Sequence, residues 1–203
     1  RDLDLVLSHI DQACTARTTD ERVKRHWHLA RAMMTGYARR YPVEDFEVAH
    51  LEKQFEGPLV NPLTGAVSRS FRLAGKIDGI VKTSQGFFLL EHKTVGQLDG
   101  DYLERLWTDF QIGLYCHYAE LALGIKITGV IYNVLVKARL QQGQGETEAE
   151  FEERKAALEA KSKTGKPSTA KRRLPESDED FQARLLERYS DPQMFHRELL
   201  YIG

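Results

Sequence analysis

Residues 75–95, GKIDGIVKTSQGFFLLEHKTV, hold two apolar runs that are joined by a short polar segment. The first run predicts a strand over residues 70–82, and the second predicts a strand over residues 86–95. Both strands are otherwise suited to burial, yet the first contains Asp78 and the second contains Glu91. The segment therefore predicts a β-hairpin with one carboxylate in each strand.

The register of this hairpin decides where the two carboxylates lie. A loop centred between Ser84 and Gln85 places Asp78 directly opposite Glu91. Opposed side chains have Cβ atoms about 4.5 to 5.5 Å apart, and like charges at that spacing destabilise a sheet. Two carboxylates that close, in a partly buried setting, share a proton or bind a cation. Lys93 is two positions beyond Glu91, so it points to the same face of its strand.

Carboxylate oxygens of this kind suit a hard cation such as Mg²⁺, which keeps water and phosphate oxygens in its other positions. A lysine beside such an ion can orient or deprotonate an attacking water, or neutralise charge on a phosphate. The alternative is a surface arrangement in which Asp78 pairs with Lys76 or Lys82, while Glu91 and Lys93 form a solvated edge of the sheet. The apolar run FFLL before Glu91 disfavours that alternative, because an exposed strand rarely needs such a run.

Helical periodicity marks two other segments. Residues 19–41 predict a basic helix with Thr19 or Asp20 as its N-cap. Residues 102–124 predict one long helix that ends at Gly124, a residue suited to a C-terminal cap. The apolar stripe of the long helix is predicted to be Leu103, Leu106, Phe110, Leu114, His117 and Leu121.

Strands are predicted before and after the hairpin as well. Residues 48–59 predict the first strand, residues 126–137 predict the fourth, and residues 194–202 fit either a strand or a helix. The order of helix, three strands, helix and strand describes an α/β fold. We expect a central mixed sheet of four to five strands that is flanked by helices.

The chain of 203 residues is long enough for one sizeable domain with its own core. We therefore expect a single domain over residues 1–203. Its predicted parts are an N-terminal helical region at 1–41, a core at about 48–137, a charged helix and basic loop at about 141–175, and a C-terminal element at 176–203. The chain begins at Arg1 instead of Met, which suggests a piece of a longer protein.

Composition argues against several classes of protein. A hydrophobic fraction of 41% and a charged fraction of 29% disfavour a disordered chain, and a net charge of −1 does not select a partner. Two cysteines, Cys14 and Cys116, lie far apart in sequence, which disfavours a disulfide framework or a zinc ribbon. This use of cysteine fits a reducing cytoplasm, which is the expected location. No apolar stretch approaches the ~20 residues that cross a bilayer, so we expect no membrane partner.

These motifs resemble those of the PD-(D/E)XK nuclease superfamily over about residues 48–137. GKIDG supplies the aspartate and LLEHK supplies the Glu-x-Lys, on consecutive strands as that family has them. QIGLY, residues 111–115, resembles the QxxxY motif of the RecB-like branch, which includes nuclease domains of recombination helicase-nucleases and many bacteriophage exonucleases. The resemblance implies a restriction-endonuclease-like core within the α/β fold.

The resemblance also implies a divalent metal ion, Mg²⁺ or Mn²⁺. Its expected ligands are Asp78, Glu91 and the backbone carbonyl of His92, and Lys93 is implied to be the catalytic lysine. Glu52 aligns with an acidic position that many relatives carry on the preceding strand. It either joins the metal site or is an ordinary exposed glutamate.

Further family features concern side chains on helices. At about 100° per residue, Gln111 and Tyr115 are neighbours on one side of the predicted helix, and the resemblance implies that they assist the metal site. RecB-like nucleases often carry a histidine ligand on an N-terminal helix, and the sequence does not separate His26 or His28 from ordinary boundary residues. Some relatives bind an iron-sulfur cluster with four cysteines, which a chain with two cysteines cannot supply.

The implied function is a metal-dependent DNA nuclease, in the first place an end-dependent exonuclease of phage or bacterial recombination or repair. Its expected substrate is linear DNA, as single strands or duplex ends, in the cytoplasm of a bacterium or a phage-infected host. A single-strand annealing protein or a helicase would be its partner. Basic segments at 22–40 and 161–173 suit phosphate contacts. Two alternatives remain, a DNA-binding or assembly module without turnover and a structure-selective endonuclease.

Overall fold

The computed structural model describes residues 2–15, 21–61, 63–161 and 167–202. The α-helices in these ranges are α1 (Leu3–Thr15), α2 (Glu21–Arg40), α3 (Gly100–Leu106), α4 (Phe110–Leu123), α5 (Glu148–Lys161) and α6 (Asp178–Arg188). The β-strands are β1 (Glu47–Val60), β2 (Val67–Thr83), β3 (Gly86–Val95), β4 (Ile127–Val136) and β5 (Phe195–Tyr201). No helix in the described ranges has the length and apolar composition to span a membrane.

These strands form one sheet in the order β1-β2-β3-β4-β5. Neighbouring strands are antiparallel except β3 and β4, which are parallel, so the predicted mixed sheet is confirmed. Parallel neighbours need a crossover connection, and α3 and α4 lie in that connection. The C-terminal segment, for which the sequence allowed a strand or a helix, is the edge strand β5.

The centre of the sheet is buried on both faces. On one face Ile80 of β2, Leu89 of β3 and Val130 of β4 belong to the same apolar cluster as Ile112 of α4. The other face carries a second apolar cluster, which consists of Val81, Phe88, Leu90 and Ile131. Burial on both faces explains why β3 and β4 are nearly continuous apolar runs in the sequence.

The chain divides into two compact units. One comprises Arg1–Gly36 and Ala138–Ser190, and it contains α1, α5 and α6. The other comprises Tyr37–Lys137 and Asp191–Gly203, and it contains the whole sheet with α3 and α4. The residues predicted to be catalytic all belong to this second unit.

The helix predicted over residues 102–124 is interrupted. Between α3 and α4, Asp109 acts as an N-cap whose carboxylate accepts a hydrogen bond from the backbone N–H of Gln111 at 3.0 Å. Gly124 has a φ of 67° and ends α4 as predicted. The prediction of one long helix was wrong because the capping carboxylate starts a new helix.

This interruption changes which side of α4 faces the sheet. The buried residues of α4 are Ile112, Cys116, Tyr118 and Ala119. Phe110 and Leu121 are exposed, although the sequence placed both on the apolar stripe. The predicted stripe is confirmed for Leu103 and Leu106, which lie in the core on α3. It was wrong for Phe110, His117 and Leu121 on α4, because it assumed one helical phase through Asp109.

Strands β1 and β2 form a hairpin that extends beyond β3, which pairs only with residues 79–83 of β2. α4 packs on this hairpin at two glycines. A Cβ atom on Gly57 would lie 2.2 Å from Cε1 of Tyr118 on α4, and a Cβ atom on Gly75 would lie 2.6 Å from the ring of Phe55 on β1 and 3.1 Å from Cε1 of Tyr115 on α4. The rings of Phe55 and Tyr118 stack with centroids 4.9 Å apart. Glycine at both positions therefore allows the helix to approach the hairpin.

Gly57→Ala is expected to destabilise the protein by about 1–3 kcal/mol, the usual cost of an extra methyl group in a packed site. Tyr118 would have to move, and its hydroxyl, which donates to the carbonyl of Pro58 at 2.8 Å, restrains that movement. Chemical denaturation measures the change. Gly113→Ala is the control, because a Cβ atom there meets nothing within 4 Å. An equal loss of stability in both variants would contradict the close approach at Gly57.

Helix α2, whose residues 21–36 belong to the first unit, agrees closely with the predicted basic helix. The predicted N-cap at residues 19–20 lies outside the described residues. Part of the basic face of α2 forms ion pairs inside this unit. Arg31 pairs with Asp11 of α1, and Lys24 pairs with Asp178 of α6 at 2.8 Å. These two cations therefore have structural partners.

The charged helix predicted beyond residue 140 is α5. Residues 167–173 of the predicted basic loop have no regular secondary structure, and residues 162–166 lie outside the described residues. Arg172 of this loop lies 3.0 Å from the carboxylate of Glu148 on α5. The described part of the loop is thus tied to the acidic start of α5.

Candidate active site

The β2–β3 hairpin has the predicted register. Residues 79–83 of β2 pair with residues 86–90 of β3, and Asp78 and Glu91 lie one step further along. The backbone N–H of His92 donates to Oδ2 of Asp78 at 3.2 Å, so the Asp78 side chain reaches across to β3. The hairpin therefore brings the two predicted carboxylates to the same part of the sheet.

Glu91 is the buried carboxylate of this cluster, with 4% of its surface exposed. Oε1 of Glu91 lies 2.7 Å from Nζ of Lys93. Burial raises the pKa of Glu91, the hydrogen bond and charge of Lys93 oppose that rise, and the charges of Asp78 and Asp109 add to it. The ionised form of Glu91 thus depends on the lysine beside it.

Lys93 connects β3 with α4. Its Nζ donates to Oε1 of Gln111 at 2.9 Å and lies 3.8 Å from Oδ2 of Asp109. Burial by itself lowers the pKa of Lys93, but the hydrogen bond and charge of Glu91 and the charge of Asp109 outweigh it, so the pKa is raised. The side chain is therefore a fixed cation at neutral pH.

Gln111 also contacts Tyr115, one helical turn further along α4. Nε2 of Gln111 donates to the hydroxyl oxygen of Tyr115 at 2.6 Å, as the spacing of four residues on a helix allows. The ring of Tyr115 packs edge-on against Phe55 of β1, with centroids 5.6 Å apart. The structure thus brings the predicted Gln111 and Tyr115 together beside Lys93.

Asp109 belongs to this cluster, although the sequence did not single it out. Its Oδ2 accepts a hydrogen bond from the hydroxyl of Tyr132 at 3.4 Å. Tyr132 is fully buried on β4, and burial together with the charge of Asp109 raises its pKa. The available signal was an aspartate two residues before Gln111, which is the spacing of an N-cap.

The cluster suits a divalent cation. The charges of Asp78 and Asp109 raise the pKa of Glu91, and the charges of Glu91 and Asp109 raise the pKa of Lys93. The cluster thus holds three carboxylates and a single ammonium, so negative charge is in excess. Asp78, Glu91 and the carbonyl of His92 offer hard oxygen ligands, and Mg²⁺ commonly takes only one or two carboxylates from a protein. Among the residues that the structure describes, no group of three or more His, Cys, Asp or Glu side chains is arranged to hold a metal ion. A site with two carboxylates would leave positions for water and substrate.

The sequence matches the PD-(D/E)XK nuclease superfamily over residues 2–191. The chain belongs to this superfamily. Membership implies a metal-dependent nuclease that acts on DNA, and the mixed sheet with flanking helices is consistent with the restriction-endonuclease-like fold of the superfamily. A search of curated proteins finds no match to the sequence.

In this PD-(D/E)XK protein, Glu52 lies exposed on β1 and forms an ion pair with Lys76 of β2. The hydrogen bond and charge of Glu52, together with the charge of Asp78, raise the pKa of Lys76. The backbone of Glu52 has a φ of 51°, a left-handed conformation that residues other than glycine rarely adopt. The structure thus gives Glu52 a partner on the hairpin, and its role as a metal ligand stays a prediction.

A chain of polar contacts crosses the sheet at His92, whose side chain points away from the face of Glu91. Nε2 of His92 lies 3.2 Å from Nδ2 of Asn133 on β4, and Oδ1 of Asn133 accepts from Nε of Arg197 on β5 at 2.7 Å. Arg197 pairs with Glu44 at 2.6 Å and lies 4.0 Å from the ring centre of Tyr41. These contacts fix β3 against β4 and β5 at the residue whose carbonyl is a predicted metal ligand.

The two helix histidines of the sequence prediction lie on α2 in the first unit. His28 is buried, and its Nδ1 lies 2.8 Å from Oε1 of Gln182 on α6. Within the described residues its Nε2 has no hydrogen-bond partner, and the carboxylate of Asp178 is 3.8 Å away. His26 is exposed. A metal-binding role for either histidine stays a prediction.

Proposed function

We propose that this nuclease cleaves DNA with Asp78, Glu91 and Lys93 as its catalytic residues, assisted by Gln111 and Tyr115. The observation that carries the proposal is the position of Lys93, whose ammonium lies 2.7 Å from Glu91 and 2.9 Å from Gln111. A strand and a helix thus hold a cation beside acidic groups. Fixed charges of this kind stabilise the charge that develops on a phosphate during cleavage.

Asp78, Glu91 and the backbone carbonyl of His92 would hold a divalent ion, Mg²⁺ or Mn²⁺. When bound, such an ion polarises the phosphate and lowers the pKa of water. The rise in the pKa of Glu91, caused by burial and by neighbouring carboxylates, supports this assignment because a cation would relieve it. No iron-sulfur cluster is proposed, since the chain has two cysteines.

Lys93, Gln111 and Tyr115 have distinct roles in this proposal. The protonated Lys93 neutralises charge on the phosphate. Gln111 orients Lys93 by accepting one of its three N–H groups. The hydroxyl of Tyr115 accepts from Gln111, and a hydroxyl that accepts a hydrogen bond still has its own proton to donate to a phosphate oxygen.

Gln111→Ala is expected to lower the cleavage rate about ten- to a hundredfold, because Lys93 loses the contact that orients it. Tyr115→Phe is expected to have a smaller effect, since it keeps the ring against Phe55 and removes only the hydroxyl. Initial rates on linear DNA with Mg²⁺ measure both changes. His117→Ala, at an exposed position of the same helix, is the control. Full activity of Gln111→Ala would contradict the positioning role.

The QxxxY residues support a place in the RecB-like, bacteriophage-type branch. Gln111 and Tyr115 are hydrogen-bonded to each other next to Lys93, which gives this motif a role at the catalytic lysine. The proposed activity is removal of nucleotides from the ends of linear DNA in recombination or repair. The proposed setting is the cytoplasm of a bacterium or phage-infected cell, with a single-strand annealing protein or a helicase as partner.

Both compact units are proposed to belong to one nuclease domain. The superfamily match covers residues 2–191, which includes sequence from both units. A match confined to the second unit would instead have favoured a separate domain around the sheet.

One experiment tests the activity and separates it from its alternatives. Labelled linear DNA and covalently closed circular DNA are incubated with Mg²⁺ or Mn²⁺, and in parallel with a chelator. Metal-dependent loss of linear DNA alone is the expected result for an exonuclease. Cutting of closed circles would show that the protein is an endonuclease. Binding without cleavage would show that it is a DNA-binding or assembly module.

A further inference from the structure

Two large aromatic side chains are exposed where α3 ends and α4 begins. Trp107 is 65% exposed and Phe110 is 77% exposed. Leu106, directly before Trp107, and Ile112, two residues after Phe110, both belong to the apolar cluster that covers the sheet. The segment that carries the two exposed rings is therefore held against the sheet by buried side chains close to it in sequence.

These aromatic residues lie beside the groups that contact the catalytic lysine. Phe110 is placed between Asp109, whose carboxylate is 3.8 Å from Nζ of Lys93, and Gln111, whose Oε1 is 2.9 Å from the same atom. Trp107 precedes Asp109 by two residues. Because consecutive Cα atoms are about 3.8 Å apart, the Cα atoms of Trp107 and Phe110 lie within about 8 Å of the Cα atom of Asp109, whose side chain faces Lys93.

The charge of this segment indicates which part of a nucleotide it can receive. Asp101 and Glu104 of α3, together with Asp109, outnumber Arg105. Such a segment does not attract phosphate groups, which basic side chains bind. A nucleobase is uncharged and stacks on aromatic rings, provided that it is unpaired and its faces are accessible.

We propose that Trp107 and Phe110 form a stacking surface for unpaired bases of the DNA strand whose phosphate lies beside Lys93. The inference rests on the proposed nuclease function and narrows its substrate to DNA with unpaired bases, that is, single-stranded DNA or a frayed duplex end. Lys93 contacts the phosphate without reading a base, and the two rings hold the neighbouring base without sequence preference, because every base has a π face.

Affinity for a short single-stranded oligothymidylate tests this surface without turnover, when a chelator is present. Trp107→Ala and Phe110→Ala are each expected to weaken binding about tenfold, which is the scale of stacking on one base. An oligonucleotide with abasic sites in place of its terminal bases should bind the wild type weakly, and the two variants should bind it no more weakly than the wild type does. Trp107→Phe keeps an aromatic ring and should retain most of the affinity for the oligothymidylate.

Phe71→Ala is the matched control, because Phe71 is 69% exposed and lies on β2 seven residues before Asp78. That spacing is roughly 23 Å along a strand. This variant should bind both oligonucleotides as the wild type does. The control distinguishes a site-specific stacking surface from a general effect of removing an exposed aromatic ring.

Fluorescence reports on Trp107 directly. The chain has two tryptophans, so Trp27→Phe leaves Trp107 as the single fluorophore of this type. Its emission is expected to be quenched by the oligothymidylate and to stay unchanged with the oligonucleotide that has abasic ends. Quenching of equal size with both would place Trp107 near the DNA backbone and overturn base stacking.

Equal losses of affinity for normal and abasic oligonucleotides, or no loss for either, would also overturn the stacking surface. Cleavage of linear DNA by the wild type with Mg²⁺ is measured separately. If the wild type cleaves DNA but the variants show no base-dependent loss of affinity, the proposed nuclease function is supported and the stacking surface is contradicted. Base-dependent binding without cleavage keeps the stacking surface and removes the proposed function.

Discussion

Asp78→Ala is expected to abolish metal-dependent cleavage, with a loss of about a thousandfold or more. The variant lacks one of the two carboxylates proposed to hold the metal ion, while Lys93 stays paired with Glu91. The fold should persist, because Asp78 is only half-buried and its substitution removes one hydrogen bond, from the N–H of His92. Such a hydrogen bond contributes about 1 kcal/mol to stability. Cleavage rates on linear DNA and thermal denaturation measure the two effects.

A second measurement connects this loss with charge. The charge of Asp78 raises the pKa of Glu91, so its removal should lower that pKa in an NMR titration of the carboxyl group. Glu56→Ala is the control, because Glu56 is an exposed carboxylate of the β1–β2 hairpin that pairs with Arg72. Normal cleavage by Asp78→Ala, or an equal loss in Glu56→Ala, would show that the metal site is misassigned.

The β2–β3 hairpin could be predicted from the sequence because the information that builds it is local. A two-residue turn at Ser84 and Gln85 sets the register of both strands. Once the register is set, the alternation of side chains along a strand decides which residues share a face. The proximity of Asp78 to Glu91, and of Lys93 to Glu91, then follows without any distant contact.

The orientation of α4 could not be predicted in the same way. A stripe that runs through Leu103 and Phe110 has helical spacing, but the side chain of Asp109 caps a new helix and the phase is lost. Gln111 and Tyr115 were still paired correctly, because both lie on the same side of that cap. The predicted stripe also placed Phe110 on the buried side of the helix, whereas the packing of α4 on the sheet leaves Phe110 exposed.

Contacts between strands that are distant in sequence could not be predicted either. Asn133 is the Cα partner of His92 only because β4 runs parallel to β3, and Arg197 is the partner of Asn133 only because β5 adds at the edge. A buried asparagine in the apolar run GVIYNVLV was the available signal, since a buried amide requires hydrogen-bond partners. The sequence alone does not say which partners those are.

Lys93→Ala is expected to lower the cleavage rate about a hundred- to a thousandfold, because the phosphate loses a fixed cation. Burial already raises the pKa of Glu91, and loss of the Lys93 hydrogen bond and charge raises it further. The folded carboxyl group then keeps its proton to a higher pH than the unfolded one, whose pKa is about 4.3. The variant therefore loses stability as the pH rises from the unfolded pKa through the folded pKa. Cleavage rates and melting temperatures across that pH range measure both effects.

Lys93→Arg separates the two effects of the lysine. Arginine keeps a positive charge near Glu91, so it should restore much of the stability at neutral pH. Its planar fork does not reproduce the contacts of one ammonium with Glu91 and Gln111, so cleavage should recover only in part. Lys82→Ala, at an exposed position of β2, should change neither property. Normal cleavage by Lys93→Ala, together with an unchanged pKa of Glu91, would contradict both roles of the lysine. It would show that Lys93 neither takes part in cleavage nor stabilises the buried charge of Glu91.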